Sequence, residues 1–388
     1  MQMREAVTLL EDNKKVEYLE LIYDLIFVYL IGRSNALLYS TPGGFFTLQS
    51  FVTYLISSLI ILQVWATSTF YINRYGKNNT GDHIILFFNM YLLYYMGKGI
   101  RSNWGREFAS YHGAWGLILG NILVQYGRHL LAAEDDKERQ YLKGQIAVLV
   151  LEVMTIFALI GVYACTGMAF SWIPLAIWAL GALCTQKGDD GYPVNFEHLT
   201  ERVMLYVVFS FGLMSTSIVD YFEGEISAQT VYFSLMAFLV TAGLFLSYGF
   251  MYNHVLDRTC RTTGKLFLSL HIGLILSLSN LTVALEFMRR DWLDSVLKNI
   301  LLISSFVVYY VFLFAIGWLS RRDKEDHDGF LYRAGLISCI FVAASAACYQ
   351  VGWASILFSA AYIYAMFALM AHRFYSNEKM NRDQGWKV

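Results

Sequence analysis

Again and again the chain runs for about twenty residues without a charged side chain, the length an α-helix needs to cross a hydrocarbon core roughly 30 Å thick. Residues 48–72 form one such run. Of the 388 residues, 57% are hydrophobic and 15% charged, against about a quarter charged in soluble domains. The period-two alternation of a membrane barrel is absent, and with only three prolines long helices go unbroken. The expected fold is therefore an all-α polytopic membrane protein. Twelve apolar spans can be drawn, at 17–39, 48–72, 83–97, 110–131, 145–164, 169–185, 195–219, 229–251, 265–285, 295–319, 331–347 and 352–373. Charged loops punctuate them, such as AEDDKER around Glu134 and RRDKEDHD from Arg321.

The basic residues set an orientation. With twelve spans, and span-end residues counted with the loop they adjoin, one side of the membrane collects 21 Lys and Arg and the other 6, while Arg33 and Arg202 lie deeper inside spans. The positive-inside rule then puts both termini in the cytoplasm. The polar start MQMREAVTLLEDNKK lacks the pattern of a cleavable signal peptide, so the first span is expected to direct insertion. A net charge of −1 argues against nucleic acid as a partner. Membrane lipid and a small ion or solute of unknown identity are the expected partners, and homo-oligomerisation stays open. Cys165, Cys184, Cys260, Cys339 and Cys348 form no CxxC pair and read as small buried side chains.

The same tally suggests a duplication. The basic loop after span 3 (Lys98, Arg101, Arg106) is matched six spans later by Arg289, Arg290 and Lys298. Span 7 also opens as span 1 does, with Glu197 and Glu201 where the first has Glu17 and Glu20. An even number of spans per half means a parallel repeat about an axis along the membrane normal. The halves would be residues 1–186 and 187–388, joined by the linker QKGDDGYPVNF, with Pro193 just ahead of the second half's first helix.

Charge inside the spans is concentrated on three helices. In VEYLELIYDLIFVYLIGR, residues 16–33, Glu17, Glu20 and Asp24 fall on one helical face. A carboxylate facing lipid costs about 2.5–3.5 kcal/mol on the insertion scale, so that face must look at protein or water. Glu197, His198, Glu201 and Arg202 begin span 7, and His271 lies early in span 9. All would share one layer within about 12 Å of the cytoplasmic helix ends, where Arg202 can pair with Asp24 or Glu20. Two readings follow: a structural ion pair between halves, or a proton or cation site in which clustered carboxylates cannot all ionise cheaply. For His271 a satisfied core histidine competes with a relay. Farther along, Arg33 with Ser210, Ser215, Thr216, Ser217, Ser277, Ser279, Asn280 and Thr282 would serve helix packing or line a path outward. Gln63 and Asn89 are mid-span amides suited to bonding between helices.

These residues together resemble the bacterial low temperature requirement A (LtrA) family. Glu20-Leu-Ile-Tyr-Asp24-Leu-Ile-Phe-Val28 is similar to the family's E-L-F-[FY]-D-L-[VI]-F-V opening. Phe196-Glu-His-Leu-Thr-Glu201-Arg202 resembles its H-F-x-E-R start of the second half. His271-Ile-Gly-Leu-Ile-Leu-Ser followed by Glu286 resembles its H-x-x-L-x-x-G helix ending in an acid. The resemblance marks Glu20, Asp24, Glu201, Arg202 and His271 as motif positions and implies a multi-pass protein of the bacterial cytoplasmic (inner) membrane. In one departure, Gly212-Leu213 stands where the family has a glycine-glutamate pair, so an intramembrane acid is missing. The family name implies a link to growth in the cold and no biochemical activity.

Three functions compete. A secondary transporter or ion-conducting protein would use Glu20 and Asp24 as coupling groups, Arg202 as counter-charge and His271 as relay, with Glu201 beside them and Glu17, Glu197, His198, Arg33 and Glu286 in secondary roles. An intramembrane enzyme on an apolar substrate is the alternative, but HExxH, GxSxG and the P-loop are all missing, so an enzyme is the less favoured reading. A membrane-state sensor or scaffold linked to cold growth is the third. No cofactor and no metal site is expected.

Overall fold

A computed structural model describes residues 14–101, 104–185, 194–223, 225–260, 262–319 and 329–383, with side chains up to residue 375. Residues 186–193 of the linker, Pro193 among them, and the RRDKEDHD loop lie outside the described residues. Among the described residues there are twelve α-helices and no strand. They are α1 (Tyr18–Asn35), α2 (Leu48–Tyr75), α3 (Thr80–Gly99), α4 (Phe108–Ala132), α5 (Asp136–Thr166), α6 (Trp172–Cys184), α7 (Phe196–Ile218), α8 (Ala228–Phe250), α9 (Lys265–Met288), α10 (Ser295–Leu319), α11 (Phe330–Ala347) and α12 (Gly352–Asp383). Each sits where an apolar run places it. Eight helices are long and apolar enough to cross a membrane, judged by length and composition: α2, α5, and α7 to α12. Helix α1 carries three charges, Glu20, Asp24 and Arg33, and α6 has only 13 residues.

Helix boundaries follow local chemistry. The Thr47 hydroxyl accepts from Ser50 N at 3.1 Å to start α2, and Asn79 Oδ1 accepts from Asp82 N at 2.9 Å to start α3. Helix α5 begins nine residues before the apolar run, because Asp136 and Glu138 suit the positive end of a helix. Gly167, in the left-handed region at φ 69°, closes it. The end of α2 is capped from a distance: Lys14 Nζ donates to the carbonyls of Ile72 at 2.5 Å and Gly76 at 2.8 Å.

The chain forms two compact units. One takes the described residues of Met1–Ser40, Phe46–Tyr206 and Arg258–Ser269. In it α1 packs on α2 and α3, α4 lies against α2, α3 and α5, and α6 against α5 and α2. Gly264 (φ +72°) is needed there, since a Cβ would meet Leu199 Cδ2 at 2.5 Å. The other unit takes Thr41–Phe45, Val207–Asp257 and the described residues of Leu270–Val388. In it α12 packs on α8, α10 and α11.

Side-chain exposure on α1 is two-faced. Tyr18, Ile22, Leu25 and Tyr29 are exposed, while Glu20, Tyr23, Asp24 and Phe27 are buried. Such a helix turns its charge inward and its apolar side outward, the reverse of a soluble surface helix. The cysteines correct the expectation of burial: Cys165, Cys184 and Cys339 are exposed, and Cys260 and Cys348 half-buried.

Candidate functional site: a buried ion cluster on the first helix

Helix α1 supplies Glu20 and Asp24, one turn apart. Helix α2 brings Trp65 and Asn73, and the first turns of α7 bring His198 and Arg202. All but the rims of these groups are sealed from solvent: Asp24, Arg202 and His198 are 0% exposed and Glu20 2%. Arg202 is the hub. Its Nε donates to Asp24 Oδ2 at 3.0 Å and its Nη2 to Oδ1 at 2.8 Å, a bidentate fork. The remaining Nη1 lies 3.2 Å from Glu20 Oε2. Trp65 Nε1 donates to Asp24 Oδ1 at 2.9 Å, and its ring packs 4.4 Å from that of Tyr206.

His198 is oriented by Asn73. Asn73 Oδ1 accepts from Asn195 N at 3.0 Å, which fixes the amide so that Nδ2 is the donor. Nδ2 lies 3.1 Å from His198 Nδ1 and donates to Asn195 O at 2.8 Å. A neutral imidazole receiving that donor carries its proton on Nε2, which lies 3.5 Å from Glu20 Oε2.

The two carboxylates are therefore unequal. Asp24 has three good donors. Glu20 has two cations or donors nearby at 3.2 and 3.5 Å, and neither of its oxygens makes a hydrogen bond among the described residues. Glu20 also lines a cavity of about 40 Å³, together with Tyr23, Ser68, Asn89, Asp82 and His83. A cavity of that size holds water where polar partners are present. Its lining runs from Asn78 in the α2–α3 turn and Asp82 in the first turn of α3 to Glu20 on α1.

Other expected site residues fall elsewhere. Glu17 precedes α1 and is exposed, so the acidic face is two residues rather than three. Glu197 and Arg33 are exposed as well. Glu201 is half-buried, and its Oε2 accepts from Val16 N at 3.4 Å. His271 belongs to the second unit, where its Nε2 lies 3.4 Å from Tyr248 OH on α8. Glu286, also there, is held by Arg290 at 2.9 Å and Arg289 at 3.4 Å. Ser215, Thr216 and Ser217 bond back to the carbonyls of their own helix, and Asn89 Oδ1 accepts from Asn121 across α3 and α4 at 2.9 Å. Among the described residues no three His, Cys, Asp or Glu gather to hold a metal ion. Sequence reasoning passed over Trp65 and Glu152. The second had a visible signal, as the lone charge in the run IAVLVLEVMTIFALIGVYAC.

A helical membrane protein with a fully buried cluster of two acids, an arginine and a histidine is the class these features define. The chain belongs to the family described as Bacterial low temperature requirement A protein (LtrA), whose pattern matches residues 15–372, nearly its whole length. Among curated proteins none matches the chain.

Proposed function

We propose that this chain is a transporter, proton-coupled or ion-conducting, of the bacterial cytoplasmic membrane. Twelve helices would span the bilayer as two parallel six-helix repeats, with both termini in the cytoplasm. Glu20 is the group that loads and releases a proton. The observation that carries this reading is the asymmetry between the acids. Asp24 is locked to Arg202 and Trp65, a fixed dipole that holds α1, α2 and α7 together. Glu20 is buried, makes no hydrogen bond among the described residues beyond its ion-pair contacts with Arg202 and His198, and lines a cavity with room for water. A buried acid tied less firmly than its neighbour, by ion-pair contacts at 3.2 and 3.5 Å on one oxygen, can change protonation without dismantling the helix packing. Under this topology the α2–α3 turn is cytoplasmic, so Asp82 and His83 stand at the inner mouth of the route to Glu20. Arg202 supplies the positive charge that Glu20 meets on releasing its proton.

The test is proton flux in vesicles. Purified protein in liposomes, loaded with a pH-sensitive dye and driven by a potassium diffusion potential, should acidify or alkalinise the lumen. Glu20→Gln, nearly isosteric, should reduce that flux at least tenfold while leaving the elution profile of the protein unchanged. Wild-type flux in this variant would remove Glu20 from the mechanism.

A further inference from the structure

A second buried acid stands apart from the cluster. Glu152 lies near the middle of α5 and is 0% exposed. Among the described residues it has one polar contact: Gln63 Nε2 on α2 donates to its Oε2 at 2.9 Å. The amide cannot be flipped, because Gln63 Oε1 accepts from Trp115 Nε1 on α4 at 2.9 Å, and an indole nitrogen can only donate. Three helices thus converge on a polar chain that ends at Glu152. Its other oxygen, Oε1, has no partner among the described residues.

Among the described residues no charged side chain pairs with Glu152. Helix α2 carries no charged residue before Arg74, and α6 carries none. On α4, His112 has its ring 5.8 Å from that of Trp115. His112 is engaged elsewhere: Nδ1 donates to Phe108 O at 2.9 Å, and Nε2 lies 2.7 Å from the Ser171 hydroxyl. An ionised carboxylate at this position would have a single donor for two oxygens and no counter-ion. A neutral acid removes the uncompensated charge and keeps the Gln63 bond, with Oε2 as the carbonyl oxygen accepting from Gln63 and the proton on Oε1.

We propose that Glu152 is a second proton-binding site, occupied in the resting protein and separate from the Glu20 cluster. Its ligand is the proton itself. Release breaks the Oε1–H bond, leaves the electron pair on the carboxylate and passes the proton to a water molecule. That requires α2, α4 and α5 to part enough to admit one.

Infrared difference spectroscopy of the full-length protein in lipid tests this. At neutral pH the wild type should show a protonated carboxyl C=O band that is missing in Glu152→Gln and retained in Glu20→Gln. Gln63→Leu, which removes the donor to Oε2, should move the band to higher frequency, and this second variant stands even if Glu152→Gln folds poorly. A wild-type spectrum identical to that of Glu152→Gln would overturn the proposal. So would a band that ignores Gln63→Leu, or one abolished by sodium ions at constant pH, which would mark a metal-cation site instead. Because the band is read without transport, a negative flux result for Glu20 leaves this inference standing.

Discussion

Replacing Arg202 with methionine tests the cluster most directly. The side chain is 0% exposed and meets both acids, with three nitrogen–oxygen contacts between 2.8 and 3.2 Å. Methionine fills similar volume but leaves two buried carboxylates without their counter-charge. Asp24 keeps one donor, Trp65, and Glu20 keeps only His198 at 3.5 Å. Breaking a buried pair by removing one partner costs about 3–5 kcal/mol, which corresponds to a fall in Tm of about 6–20 °C for a compact unit of a few hundred residues. The triple variant Glu20→Gln, Asp24→Asn, Arg202→Met removes the orphaned charges as well, and should recover more than half of that loss. Thermal unfolding in lipid nanodiscs, followed by tryptophan emission, measures both. Arg202→Lys provides an intermediate: it keeps the charge but loses the planar fork. The reasoning fails if Arg202→Met melts within about 2 °C of wild type, or if the triple variant is less stable than the single one.

Two further outcomes follow from the same structure. Lys14 caps the last carbonyls of α2, so Lys14→Met should lower stability by about 1 kcal/mol at neutral pH. Burial pulls the Lys14 pKa below its ordinary 10.5, while Glu20 and Asp82 pull it back up. In the window just under 10.5 the unfolded chain holds a proton that the folded one has released, so stability from this group rises with pH there. The Tm difference between wild type and Lys14→Met should therefore widen on raising the pH through that window; a constant difference would contradict the burial argument. The proposed topology is tested by thiol labelling in right-side-out vesicles. An impermeant maleimide should modify Cys165 and Cys348 from outside, and Cys184 and Cys260 only after permeabilisation; labelling of all four from one side would reverse or break the alternation of spans.

The helices were readable from the chain itself because a helix is a local object. Its length, its apolar content and the cap residues at its ends lie within a few tens of residues, and each of the twelve apolar runs became a helix. The pull of Glu20 and Asp24 away from lipid was readable for the same reason, since their spacing of four puts them on one face whatever lies opposite. What lies opposite was a tertiary matter. Arg202 is 178 residues from Asp24 in sequence and Trp65 is 41, and no periodicity announces which indole or guanidinium will arrive. The expectation that Arg202 meets one of the acids understated the result, for its fork takes Asp24 while its third nitrogen faces Glu20. Glu17 shows the converse, since one residue's difference in where α1 begins moved an acid from the inward face to solvent. Glu152 and Gln63 lie 89 residues apart, and only the packing of α2, α4 and α5 turned an isolated acid and a mid-span amide into a pair. Sequence set which groups had to be hidden from hydrocarbon; the folded bundle chose their partners, because burial forces every charge to find one but does not say which.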